Sequence, residues 1–236
     1  MVIAPFHARG IAPMGRPPFK SNALMTSSTR AREALRLSAV QAQQVSVKGH
    51  IKGELLSAIA SIPHTGVYGI EAGQKEAVLS LIEQVEATNP LKAPTQHLEQ
   101  CQGSWRLLFS TVTILGRRRI KLGLKEVVNV GELTQHIDIA TQHTRNVVDF
   151  DILLFGKFRG SLTIEAKYKP VSPCRVSITL EKAMLVPQQF QKLFEKNYDL
   201  LLSIFNPEGW LDITYVDAEH RIGRDDKGNI FVLERI

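Results

Sequence analysis

Side chains able to hold a metal or move a proton are few in this sequence, and they are scattered. Asp225-Asp226 opens the most suggestive run, because an Asp-Asp-x-x-Asp spacing grips magnesium and, through it, a diphosphate. Here the fifth position is Asn229, with Lys227-Gly228 between. These residues tolerate left-handed dihedrals, so the run reads as a tight hairpin, and no second acid-rich motif accompanies it. His50, His64, His97, His136, His143 and His220 form no HExxH and no i, i+4 pair. Cys101 and Cys174 have neither CxxC spacing nor a third ligand nearby, so no metal site follows and free thiols are expected. No GxSxG elbow, GxGxxG turn or Walker loop occurs. Asp138, Asp149, Asp151 and Asp212 lie on strand-like segments, without a pairing as acid and base. A protein without catalysis and without a cofactor is expected.

The densest charge in the body is Arg117-Arg118-Arg119 with Lys121 and Lys125. Such a run serves as a solvated hairpin tip or a charged edge that discourages strand pairing. Its sharper reading is a surface for an acidic partner, anionic lipid head groups or a diphosphate. Nucleic acid is a poor fit, because the run is short, lacks interleaved aromatics and sits in a nearly neutral body.

The elements that must carry these residues fall into helices first and strands after. Lys48 to Ile62 places Ile51, Leu55, Leu56, Ile59 and Ile62 at helical spacing and stops at Pro63. A second stripe, Ala77, Val78, Leu81, Ile82 and Val85, runs from about Gly73 to Ala87 and ends at Asn89-Pro90. β structure follows, with period-two alternation from Gly103 placing Trp105, Leu107, Phe109 and Thr111 on one face. Further strands are expected around Arg145–Phe155, Ser161–Tyr168, Val176–Leu180, Trp210–Val216, Arg221–Arg224 and Ile230–Arg235. In the fourth of these Leu211, Ile213 and Tyr215 share a face. One helix, about Gln188 to Phe205, interrupts the series. Many short antiparallel strands argue for a barrel or a sandwich, mainly β with flanking α-helices.

At 236 residues the chain can bury one substantial core, and it has no run of about 18 apolar residues. The formal charge of +6 is concentrated at the start: residues 1–40 carry six basic residues against Glu33, whereas the rest carries 23 basic and 22 acidic. That Arg-rich, hydroxyl-bearing, acid-poor leader reads as an organelle transit peptide. The expected organisation is a disordered transit peptide over 1–45 and one domain over 46–236, with helices within 48–87 and a barrel over 101–236.

Gly103-Ser-Trp-Arg-Leu-Leu-Phe-Ser-Thr, Asn89-Pro90 before it and Gly209-Trp-Leu-Asp-Ile-Thr-Tyr near the end resemble the plastid lipid-associated proteins, or plastid fibrillins. The likeness runs from about Lys48 to Ile236 and implies a lipocalin-like antiparallel β-barrel in a chloroplast protein, stromal or at the thylakoid or plastoglobule periphery. Lys121-Leu-Gly-Leu, Asn197-Tyr-Asp-Leu-Leu-Leu-Ser-Ile-Phe-Asn-Pro-Glu-Gly and Gly223-Arg-Asp-Asp-Lys-Gly-Asn-Ile-Phe look like the fifth fibrillin subgroup. That subgroup implies association with solanesyl diphosphate synthase, plastoquinone biosynthesis and a long isoprenoid chain as ligand. A structural coat on thylakoid or plastoglobule lipid is the alternative.

Gly103-x-Trp105 is similar to the opening of lipocalin barrels, where the Trp plugs the closed end and stacks on an Arg of the last strand. Arg235 is the expected partner, with Arg221 and Arg224 as rivals. Trp105, Phe109, Phe150, Phe158, Ile164 and Ile178 are the candidates for ligand contact inside a dry, apolar cup. Arg117, Arg118, Arg119 and Lys121 are the candidate partner or head-group surface.

Overall fold

The computed structural model describes residues 27–67, 69–112, 128–152, 158–187 and 208–236. Among them, helices α1 (Ser27–Ala60) and α2 (Ala72–Ala87) precede eight strands: β1 (Gly103–Ser110), β2 (Val128–Asp138), β3 (His143–Ile152), β4 (Phe158–Pro170), β5 (Arg175–Val186), β6 (Gly209–Val216), β7 (His220–Asp225) and β8 (Ile230–Arg235). Each strand pairs antiparallel with the next, and β8 returns to β1, closing an up-and-down barrel. The expected helix over 188–205 and the basic run Arg117, Arg118, Arg119 and Lys121 lie outside the described residues.

The chain divides into two compact units, 1–44 and 45–236. In the first, the described residues belong to the N-terminal stretch of α1, where Leu35, Leu37 and Val40 are exposed. Helix was expected over Lys48–Ile62. It begins at Ser27 because Ala, Leu, Arg and Gln, the strong helix formers, dominate residues 30–44.

In the second unit the barrel is buried on both faces over part of its circumference. Inside lie Trp105, Leu107, Leu133, Val148, Phe150, Leu162, Ile164, Val216 and Leu233. Outside, Phe109, Tyr215, Ile222, Ile230 and Val232 pack beneath Leu55, Ile59, Val78, Ile82 and Val85 of the helices. Two-sided burial explains why β8 starts with four consecutive buried residues instead of alternating. Polar contacts pin the same layer: Lys52 reaches Asp217 (3.0 Å) and Glu219 (2.9 Å), and Arg224 grips Glu86 with two hydrogen bonds. Asn89, expected only to stop α2, also donates to the Thr214 carbonyl at 2.8 Å and so straps the helix end to β6.

Bulges decide which residues face inward. The β1–β8 register slips between Leu107 and Phe109, and the β6–β7 register between Ile213 and Tyr215. One extra residue reverses every later side chain. Phe109 and Tyr215 therefore point outward, under the helices, although strict alternation placed them with Leu107 and Ile213. A third slip, between Val130 and Leu133, breaks the alternation of β2, the strand that periodicity missed.

Candidate functional site

One end of the barrel is built around Trp105. Gly103 has φ +110°, and a Cβ there would meet Arg235 Nη1 at 3.3 Å, so the glycine two before the tryptophan suits both the backbone and its neighbour. Trp105 is fully buried and donates from Nε1 to the Cys101 carbonyl at 2.9 Å. Arg235 lies over its ring, 4.2 Å from the centroid. The same guanidinium donates to the carbonyls of Ala218 (2.8 Å), Gln102 (2.6 Å) and Gln100 (2.5 Å). The expected plug is thus present, with Arg235 as its partner. Arg224 is instead on the outer face with Glu86.

Arg221, the other rival, sits inside. β7 turns Arg221 and Gly223 inward and Ile222 outward, because the helices supply an apolar cover for Ile222. Its guanidinium is 5.1 Å from the Trp105 centroid, is 4% exposed and donates through Nη2 to Gln135 Oε1. Gln135 in turn donates to Asn146 Oδ1 at 2.8 Å. Burial holds the Arg221 guanidinium below its ordinary value. It pushes the Cys101 thiol up despite the nearby Arg221 charge, and the Tyr168 phenol up to about 12. Both stay protonated at neutral pH, so neither offsets the arginine.

Two cavities of about 40 Å³ each meet at Arg221, Gln135, Ile178, Leu211 and Ile213. One extends toward Cys101, Tyr168 and Val176, the other toward Leu107, Phe231 and Leu233. About 10–15 Å³ of such space holds one water. Each cavity therefore takes a few waters or a compact polar group, and neither takes an isoprenoid chain. An eight-stranded barrel is just wide enough for its own side chains to fill. The expectation of a wholly apolar cup is corrected here: this part of the interior is largely filled, and a charged side chain stands in it.

Of the proposed contact residues, only Ile178 lines both cavities. Trp105, Phe150 and Ile164 are buried in the inner core. Phe109 is corrected to the outer core, for the bulge reason given above. Phe158 has the inward register of Leu162 and Ile164 but stands at the first position of β4, 48% exposed, so it is corrected from interior wall to rim. Reading missed Arg221, Gln135, Asn146 and Tyr168 as a group. Their signal was the period-two position of Arg221 before Gly223, hidden by the assumption that inward means apolar.

A larger hollow of about 520 Å³ opens on the outer surface beside Ser104, His136, Asp138, Arg145 and Glu165. Ser104 Oγ and His136 Nδ1 are 2.7 Å apart, the spacing of a nucleophile and its base. The two residues are direct cross-strand partners, however; burial together with Arg145 lowers the His136 pKa, and among the described residues no carboxylate is bonded to its ring. The geometry is that of a sheet pair.

Strand polarity places the C-terminal ends of β1, β3 and β5 away from Trp105. Toward those ends Val130, Val148, Phe150, Leu162 and Leu185 are buried in the apolar inner core. A model of the PAP_fibrillin family matches residues 49–234, which covers both helices' packing segments and the barrel up to Glu234 in β8. The chain belongs to that family.

Among the relatives of this fibrillin, the chromoplast-specific carotenoid-associated protein C1 of an Oncidium hybrid cultivar is 29% identical over a 213-residue alignment, covering 71% of this chain and 65% of that protein. The probable plastid-lipid-associated protein 2 of Arabidopsis thaliana is 26% identical, covering 71% and 67%. The chain thus spans about two thirds of the curated relatives it matches. They carry chloroplastic or chromoplastic names, and this fibrillin is likewise a plastid protein. A lipocalin-like protein from Bacteroides uniformis overlaps 58% of this chain and 99% of its own at 12% identity and a TM-score of 0.30. The fold assignment rests on the closed strand order instead.

Proposed function

We propose that this fibrillin is a non-catalytic plastid lipid-binding protein, imported with residues 1–45 as its leader, that holds an isoprenoid chain and assists solanesyl diphosphate synthase in plastoquinone biosynthesis. The observation that supports the lipid reading is an eight-stranded barrel whose inner face, with Val130, Val148, Phe150, Leu162 and Leu185, is apolar. Each methylene buried against such a wall contributes about 0.8 kcal/mol. The synthase partner and the plastoquinone link come from the resemblance to the fifth fibrillin subgroup. The names of relatives, carotenoid-associated and plastid-lipid-associated, support the broader lipid association.

Physically, a long polyprenyl product leaves a hydrophobic tunnel slowly unless something solvates its tail. A barrel that receives the tail raises multiple-turnover synthesis and leaves the single-turnover rate unchanged. Equal stimulation of both rates, or none of either, sinks this role. Arg117, Arg118, Arg119 and Lys121 are the proposed partner surface; reversing their charge weakens synthase pull-down in a salt-sensitive way. Mass spectrometry of lipids co-purifying with the mature protein tests the ligand class directly, with isoprenoids expected.

A coat on thylakoid or plastoglobule lipid is the second reading, supported by the plastid-lipid-associated names of relatives. Flotation with lipid droplets in the absence of synthase distinguishes it.

A further inference from the structure

Among the described residues, Arg221 is a buried cation without an anion. Its guanidinium has five N–H donors, and the acceptors it meets in the barrel are the neutral Gln135 side chain and the Cys101 thiol. The Cys101 thiol and the Tyr168 phenol lie close, and the other full charge bearing on it is a second cation, Arg235. Among the described residues no aspartate or glutamate pairs with it. An unpaired charge in a barrel core is costly, and an apolar side chain of similar size is usually the more stable choice. A place where the two cavities meet leaves room for the missing counter-charge.

We propose that the Arg221 chamber receives the carboxylate head of a single-chain lipid acid, with the first carbons of its tail following Leu107, Phe231 and Leu233. This inference rests on the lipid-binding reading but not on the synthase partnership. One planar guanidinium matches one carboxylate, edge to edge, through two parallel hydrogen bonds. A diphosphate would bring more than one negative charge into a chamber with this single inward cation and no lysine on its walls. A neutral alcohol or quinone head would leave the guanidinium uncompensated. Each cavity, at about 40 Å³, is large enough for a carboxylate and too small for the tail. The remaining carbons must therefore continue toward the end opposite Trp105.

Titrations of the mature protein with palmitate, hexadecanol and geranylgeranyl diphosphate, read by displacement of a fluorescent fatty-acid analogue and by isothermal calorimetry, test this. Palmitate is expected to bind at least tenfold more tightly than hexadecanol. Arg221→Leu removes that preference, while Arg221→Lys retains part of it. Equal affinity of wild-type protein for the acid and the alcohol overturns the carboxylate receptor and leaves lipid binding standing. Tighter binding of the diphosphate overturns the single-charge argument. Failure of all three ligands to bind overturns the lipid reading as well. The wild-type comparison of acid with alcohol decides the matter even where Arg221→Leu does not fold.

Discussion

The guanidinium of Arg235 sits 4.2 Å from the centroid of Trp105 and bonds three backbone carbonyls, those of Ala218, Gln102 and Gln100. One side chain of the last strand thereby ties the segment before β1, the β6–β7 turn and the barrel floor together. The carbonyls are fixed, and only a planar fork reaches all of them at once.

Replacing Arg235 with Ala is expected to lower stability by about 1–3 kcal/mol, from charge-assisted hydrogen bonds and the cation–π contact combined. Arg235→Lys restores less than half of that loss. Urea denaturation at neutral pH measures both variants, and a Lys variant as stable as the parent contradicts the clamp.

Gly160 is the seat of the Phe150 ring. A Cβ at 160 would lie 2.5 Å from two atoms of that ring and 2.9 Å from the Val186 carbonyl. Gly160→Ala is therefore expected to cost about 1–3 kcal/mol through overpacking. Adding Phe150→Leu recovers part of it, because the two residues are direct cross-strand partners. Strict additivity in the double-mutant cycle argues against the contact.

Acid stability reports on Asp217. Burial pushes its pKa up, but hydrogen bonds from Tyr215, the His220 and Glu219 amides and Lys52 outweigh that and hold it at about 2. A carboxylate depressed on folding contributes stability that is full above its unfolded pKa of about 3.9 and is lost as pH falls through the folded value. The wild-type protein should therefore lose stability between about pH 4 and pH 2 more steeply than Asp217→Asn. Stability curves of the two that run parallel through that window refute the assignment.

Phe109 and Ile178 separate stability from binding. Phe109 is fully buried under the helices, so Phe109→Ala is expected to cost about 3–5 kcal/mol while the folded fraction keeps its lipid affinity. Ile178→Asp places an anion beside Arg221 and is expected to weaken palmitate binding with a smaller effect on folding. Thermal melts and displacement titrations on the same samples provide the check. Lost affinity in folded Phe109→Ala would return that residue to the interior.

Much of the architecture was legible along the chain. The apolar stripe of Val78, Ile82 and Val85 faces its core, the face of Leu162, Ile164, Ala166 and Tyr168 is buried as alternation required, and Asp225–Asn229 is a turn organised by the Asp225 carboxylate. The Gly103-x-Trp105 pair and its arginine were legible as a resemblance. What misled was parity. Periodicity assumes an unbroken register, and the slips in β1, β2 and β6 are set by how strands fit around a closed circumference, which no single strand encodes.

Sequence by itself determined the strand and helix inventory of the described core in large part, the turn at Asp225, the poor match to catalytic templates and the family. These follow from local spacing, side-chain shape and backbone preference. Tertiary structure alone decided that Arg221 lies inside and Ile222 outside. Inward and outward lose their usual polarity once helices cover the outer wall, because burial is then offered on both faces and a charge can take the inner one.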